Sequence, residues 1–126
     1  MNYKILFVLL FSISTRVFGQ LPFGNFKIME GNDCGIEFGR IQTAKTINNK
    51  FRFRIDINNK AGYTGAVDGY ALIVSKNKAI FRKKDCSSIT FTFLPGNIIK
   101  IKESNCSTYH GANICFDGSY QQYLHK

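Results

Sequence analysis

The stretch "KFRFRIDIN", Lys50 to Asn58, alternates with a period of two. Phe51, Phe53, Ile55 and Ile57 share one side; Arg52, Arg54 and Asp56 share the other. An extended strand sorts residues this way, because successive side chains point to opposite faces. One face then belongs to a core and the other to water.

Neighbouring segments repeat the pattern. In "SSITFTFL", Ile89, Phe91 and Phe93 take the inward phase and Ser88, Thr90 and Thr92 the outward one. "NIIKIKE" follows with Ile99 and Ile101 inward and Lys100 and Lys102 outward. "LPGN" separates the two: Pro95 presets φ for the first central turn position and Gly96 takes the positive φ of the second, which predicts a hairpin. "GYALIVS" (Gly69 to Ser75) and "KAIFRK" (Lys78 to Lys83) flank Lys76-Asn77, a second hairpin signal. "NFKIME" and "SYQQYL" each supply a further strand. Helical periodicity is poor. "GRIQTAKTINNK" (Gly39 to Lys50) is the one segment with room for a turn or two of helix, and β-branched Thr43, Thr46 and Ile47 weaken it. "NNKAGYTGAVDG" (Asn58 to Gly69) reads as the longest irregular loop, a candidate for mobility or ligand contact. The expectation is an all-β single domain, an antiparallel sandwich or barrel-like sheet.

The first residues, "MNYKILFVLLFSISTRVFG", read as a secretory signal peptide over 1–19. Lys4 is the positive start, Ile5 to Phe11 the apolar run, and Val17 and Gly19 the small residues before the cut. The mature chain would begin at Gln20, with no transmembrane segment and a secreted or periplasmic location. Removing nineteen residues from 126 leaves 107, enough for one domain. The leader takes Lys4 and Arg16 with it, so the formal charge falls from +9 to +7. That balance favours anionic surfaces, and it is equally a common solubility device.

The four cysteines are Cys34, Cys86, Cys106 and Cys115. An even number in an exported chain favours disulfides, and four cysteines allow three connectivities. A zinc site would draw on Cys106, His110 and Cys115, but structural zinc sites prefer tighter cysteine pairs and a matching second pair. No metal and no cofactor is expected.

No enzymatic constellation stands out. His110 and His125 are the only imidazoles; His125 is penultimate, and His110 reads as a surface or loop-packing residue. The acids Glu30, Asp33, Glu37, Asp56, Asp68, Asp85, Glu103 and Asp117 form no tight pair in sequence. Asp117-Gly118 lacks the ligand spacing of a calcium loop, and "GAVDG" lacks the lysine of a phosphate loop.

The candidate anion-binding residues lie in "KNKAIFRKK". Lys76, Lys78, Arg82 and Lys84 share one parity with Ile80, a basic stripe if the strand is straight. Arg52 and Arg54 extend it if their strand is a neighbour. An anionic polymer, a lipid surface or an extracellular protein would fit such a face. The alternative is a solvated face whose lysines guard an edge. Nucleic acid is disfavoured, because the outward positions lack aromatics that stack on bases.

The segment from Tyr63 to Tyr123 resembles the C-terminal half of uncharacterised small secreted bacterial β-rich proteins. The shared elements are Gly69, Ala79-Ile80-Phe81, Cys86 with Phe91 and Phe93, Cys106, Gly111 to Ile114, and Gly118-Ser119-Tyr120. The chain departs from the pattern in two extra residues between Cys106 and the glycine, and in carrying Cys34 and Cys115. The resemblance implies a Cys86–Cys106 disulfide, which leaves Cys34 to pair with Cys115. Similar segments stand beside lysozyme-inhibitor-like domains. The resemblance therefore implies, as an alternative to a non-enzymatic binding protein, an inhibitor of a wall-degrading enzyme such as lysozyme. It brings no catalytic residues.

Overall fold

The computed structural model describes residues 21–124. The leader expected over 1–19, the expected start at Gln20, and His125 fall outside the described residues. Eight strands follow one another: β1 (Gly24–Ile28), β2 (Phe38–Lys45), β3 (Lys50–Asn58), β4 (Thr64–Ser75), β5 (Lys78–Lys83), β6 (Cys86–Leu94), β7 (Ile98–Ser104) and β8 (Gly118–Tyr123). Each pairs antiparallel with the next, and β8 returns to β1, with Asn25 opposite Tyr123 and Ile28 opposite Tyr120. The sandwich-or-barrel choice resolves to a closed barrel, which leaves no free sheet edge. Lysines are therefore not needed to guard one.

The inward phase of β3, β6 and β7 is the one that alternation assigns. Phe51, Phe53, Ile55, Ile57, Ile89, Phe91, Phe93, Ile99 and Ile101 are all buried. Eight strands enclose an interior just wide enough for side chains. Aromatic rings fill it in edge-to-face contact: Phe51 on Phe91 at 5.3 Å, Phe53 on Phe81 and on Phe91 at 4.9 Å each. Such pairs add about 0.5–1.5 kcal/mol beyond the area they bury. The interior is a packed core rather than a ligand chamber. Charged side chains project outward, the reverse of a membrane barrel, whose apolar band faces lipid. Among the described residues, no helix is long and apolar enough to cross a membrane.

Two expectations are corrected. Gly39 to Lys50 holds no helix; most of it is β2, with Gly39, Ile41 and Thr43 buried on alternate positions. Thr43 turns inward because its hydroxyl accepts the Gly24 N–H at 3.0 Å. The irregular loop over Asn58 to Gly69 shrinks to the residues between β3 and β4, since β4 already starts at Thr64. That short loop is tied down. Asn59 accepts the Tyr63 N–H at 3.0 Å and donates to the carbonyl of Asn113 at 3.3 Å. The alternation of β4 is hidden in sequence because inward positions 65 and 69 are glycines. A Cβ on Gly65 would lie 2.6 Å from His110 Cβ, and one on Gly69 would lie 2.5 Å from the Phe81 ring. Side chains from other elements occupy the space those two positions leave.

Candidate binding surface

The two ends of the barrel differ. At one end the β7–β8 connection folds over the core as a cap. It begins with the short 3-10 turn Ser107–Tyr109 and buries Cys106, His110, Ile114 and Phe116. Disulfides Cys86–Cys106 and Cys34–Cys115 fasten it, the pairing that the resemblance implies. The second also ties the β1–β2 connection to the cap. The zinc reading is overturned, since Cys106 and Cys115 sit in different disulfides and offer no thiolate.

Glu103, near the end of β7, organises the cap. One of its oxygens accepts the Phe116 N–H at 2.7 Å; the other meets His110 Nε2 at 2.9 Å. His110 Nδ1 faces the carbonyl of Gly111. Both ring nitrogens thus face oxygen atoms. His110 and Glu103 side chains are only 6% and 10% exposed, so His110 packs the loop rather than decorating the surface. Asp117 accepts the Glu103 N–H at 2.8 Å and pairs with Lys102 at 3.3 Å. Beneath them the Tyr120 hydroxyl donates to the Phe116 carbonyl at 2.9 Å. Burial, and then the charges of Asp117 and Glu103, push the Tyr120 phenol well above its ordinary range. Glu103, Cys115 and Asp117 lie close together, but the sulfur is oxidised and both carboxylates are already hydrogen-bonded. This is a structural network.

The six sequence candidates for anion binding do not form one stripe. β4 stands between β3 and β5, so Arg52 and Arg54 are not neighbours of the β5 cations. Arg54 is spoken for: it forks onto Asp56 at 2.9 Å and reaches Asp68 at 3.5 Å. The hydrogen bond to Asp56, then its charge, hold the guanidinium still more firmly protonated. On β5 the register shifts between Phe81 and Lys83, which breaks the parity. Lys78, Ile80 and Arg82 hold their phase; Lys76 lies in the β4–β5 turn and Lys84 in the β5–β6 turn. The Lys84 carbonyl accepts the Tyr109 hydroxyl at 3.0 Å.

Two other lysines join Lys78. Thr92 stands opposite Lys78 on one side and opposite Lys100 on the other, and Thr90 stands opposite Lys102. These residues floor an outer groove of about 910 Å³ that Met29 to Cys34 also line, so that Glu30, Asp33 and Asp117 stand in it with the lysines. Lys100 and Lys102 were legible as outward, and only the strand pairing brings them beside Lys78. One expectation about aromatics is corrected: Tyr70 points outward on β4, 57% exposed, opposite Arg52.

Charge is segregated along the barrel axis. The cap end carries the β1–β2, β3–β4, β5–β6 and β7–β8 connections; the opposite, open end carries the β2–β3, β4–β5 and β6–β7 turns and Phe23. All eight carboxylate residues lie toward the cap. Glu30, Asp33, Glu37, Asp85 and Asp117 are in cap-end connections, Glu103 is next to last in β7, and Asp56 and Asp68 sit in the cap-side halves of β3 and β4. At the open end Lys45 closes β2, Lys50 opens β3, Lys78 opens β5 and Lys100 lies early in β7, all exposed.

Comparison with protein-family models, with curated proteins and with solved structures finds no match.

The surface thus offers an open-end rim at Lys45 and Lys50 with no carboxylate beside it, a groove where Lys78 and Lys100 stand with Glu30, Asp33 and Asp117, and a cross-linked cap of mixed charge. A cationic end of this kind attracts anions at long range and releases them in salt.

Proposed function

We propose that this chain is a non-enzymatic, exported binding protein that recognises an anionic envelope or extracellular component through the open end of its barrel. The observation that carries the reading is the charge segregation: no Asp or Glu lies in the open-end turns, where Lys45 and Lys50 stand, and Lys78 and Lys100 enter from the open-end side the groove that Glu30, Asp33 and Asp117 also line. A solvated surface selected only for solubility needs no such sorting, because mixed signs serve it equally. Replacing Lys50, Lys78 and Lys100 with Gln together is the test. The variant elutes from an anionic matrix at clearly lower salt than a control in which Lys60, Lys83 and Lys84, at the cap end, become Gln. Melting temperatures stay nearly unchanged, since exposed charges contribute little to stability. Equal losses in the two variants would reduce the effect to net charge and sink the reading.

The cap end, which holds all eight carboxylates, supports a second reading, inhibition of a basic wall-degrading enzyme such as lysozyme. Glu30, Asp33 and Glu37 lie there beside exposed Met29 and Phe38. Repulsion by the net positive charge would be weakened for a partner approaching that end. A lysozyme inhibition assay decides this reading independently of the matrix test.

A further inference from the structure

The open end is cationic, and it also presents apolar side chains to solvent. Ile47, in the β2–β3 turn, is 83% exposed; Val74, near the end of β4, is 49% exposed. Leu94, the last residue of β6, is exposed as well, and Leu124 emerges just beyond β8. Leu72 extends this set down the outer wall, where it stands between Lys50 on β3 and Ile80 on β5.

Ile47 in a turn, and Val74 and Leu94 at the open-end margins of their strands, place several exposed aliphatics around one rim, where a free surface gains nothing from them. They are not there to cover the core, because Phe23 already packs on Phe51 at 5.8 Å at that end. Exposed apolar residues also occur at the cap end, notably Phe38 and Met29, but there they are mixed with carboxylates. At the open end, by contrast, no carboxylate lies in the turns, and Lys45 and Lys50 stand beside exposed Ile47 and Val74.

We propose that the open end docks tip-first on an anionic lipid bilayer. Ile47, Val74 and Leu94 enter the boundary between headgroups and acyl chains, while Lys45, Lys50 and Lys78 meet the anionic headgroups. The inference rests on the anion-binding reading above and narrows it to one partner class. The discrimination is chemical. An anionic polysaccharide or nucleic acid satisfies the lysines and leaves the aliphatic tips in water. A bilayer satisfies both, because its charge lies directly over hydrocarbon. Each lysine near such a surface strengthens binding about fivefold, and each buried aliphatic side chain about tenfold or more. A few of each are enough for reversible docking without a membrane-spanning segment.

The test uses the full mature chain and vesicles of phosphatidylcholine with or without phosphatidylserine. The chain contains no tryptophan, so Ile47→Trp introduces a single reporter. Its emission shifts to the blue on anionic vesicles, while Phe38→Trp at the cap end shows no shift. Ile47→Ser with Leu94→Ser lowers co-sedimentation with anionic vesicles at least tenfold and leaves retention on a soluble anionic polymer unaltered. Lys50→Gln with Lys78→Gln weakens both. If the serine pair leaves vesicle binding untouched, or if the reporter of the Ile47→Trp variant stays solvent-exposed on bound vesicles, the bilayer is not the partner, although the anion-binding reading survives. If the lysine variant binds both supports as tightly as the parent, that broader reading fails too. Unchanged melting temperatures show that the variants are folded.

Discussion

His110 leaves no room for a side chain on Gly65: a Cβ there would lie 2.6 Å from the Cβ of His110 and 3.1 Å from its Cα. The cap and the wall of the barrel meet at this point, and glycine is what lets them close. Gly65→Ala must push His110 away from Glu103, on which both His110 and the Phe116 amide depend. Overpacking of this kind costs about 1–3 kcal/mol. Thermal melts of Gly65→Ala should show that loss, with Ala66→Gly on the outward side as the mild comparison. An unchanged melting temperature would mean that the cap is free to ride up at little cost.

The Tyr120 phenol is held protonated by burial and by Asp117 and Glu103, above the 10.0 of a free tyrosine. In the unfolded chain it ionises normally. The folded state keeps its proton where the unfolded state has lost it, so the linked stability is complete below about pH 10 and is lost as pH rises toward the folded value. Urea titrations between about pH 8 and pH 11 should show stability falling at the alkaline end. In Tyr120→Phe the alkaline fall should be smaller, although the variant starts less stable without the hydrogen bond to Phe116. An identical alkaline slope in the two proteins would remove Tyr120 as the cause.

The disulfides should differ in weight. Cys34–Cys115 spans 81 residues and Cys86–Cys106 spans 20. Chain entropy assigns about 4–5 kcal/mol to the first and about 3 to the second. Replacing Cys34 and Cys115 with Ser should therefore lower the melting temperature more than replacing Cys86 and Cys106. It should also free the β1–β2 connection, which amide hydrogen exchange at Asp33 to Ile36 would register. The opposite ranking would show that the shorter bridge is needed to seat the cap.

Phe91 and Thr90 are consecutive and face opposite sides of the wall. Phe91 is fully buried, touching Phe51 and Phe53; Thr90 lies on the outer groove. Phe91→Ala should cost about 3–5 kcal/mol, a large share of the stability of a domain this size. Thr90→Ala should cost under about 1 kcal/mol. Similar losses from the two would mean that the outer wall is itself covered, and the exposed groove with Lys78 and Lys100 would not exist in solution.

Strand identity was legible wherever inward positions are large and apolar. Phe51, Phe53, Ile55 and Ile57 in β3, and Ile89, Phe91 and Phe93 in β6, declare their phase because burial rewards every second residue and no other spacing. β2 and the first half of β4 were not legible. Their inward residues include Gly39, Thr43, Gly65 and Gly69, whose phase has no apolar signature of its own. Those glycines are small because Ile28 and Tyr120, His110, and Phe81 arrive from elsewhere in the chain to fill the space beside Gly39, Gly65 and Gly69. The basic stripe failed for a related reason: parity holds along a straight strand, and the irregularity between Phe81 and Lys83 is a property of the pair β5–β6.

By itself, then, the sequence determined the strand class, the two hairpins and which side of each strong strand meets the core, because those follow from local alternation and turn chemistry. Closure of β8 on β1, the meeting of Lys78 with Lys100, and the sorting of carboxylates to one end were decided only in three dimensions. Each joins residues from separate strands, and their relation depends on register, tilt and the way successive strands alternate direction. Alternation within one strand tells a side chain whether it faces in or out. It does not tell which other outward side chain will be its neighbour.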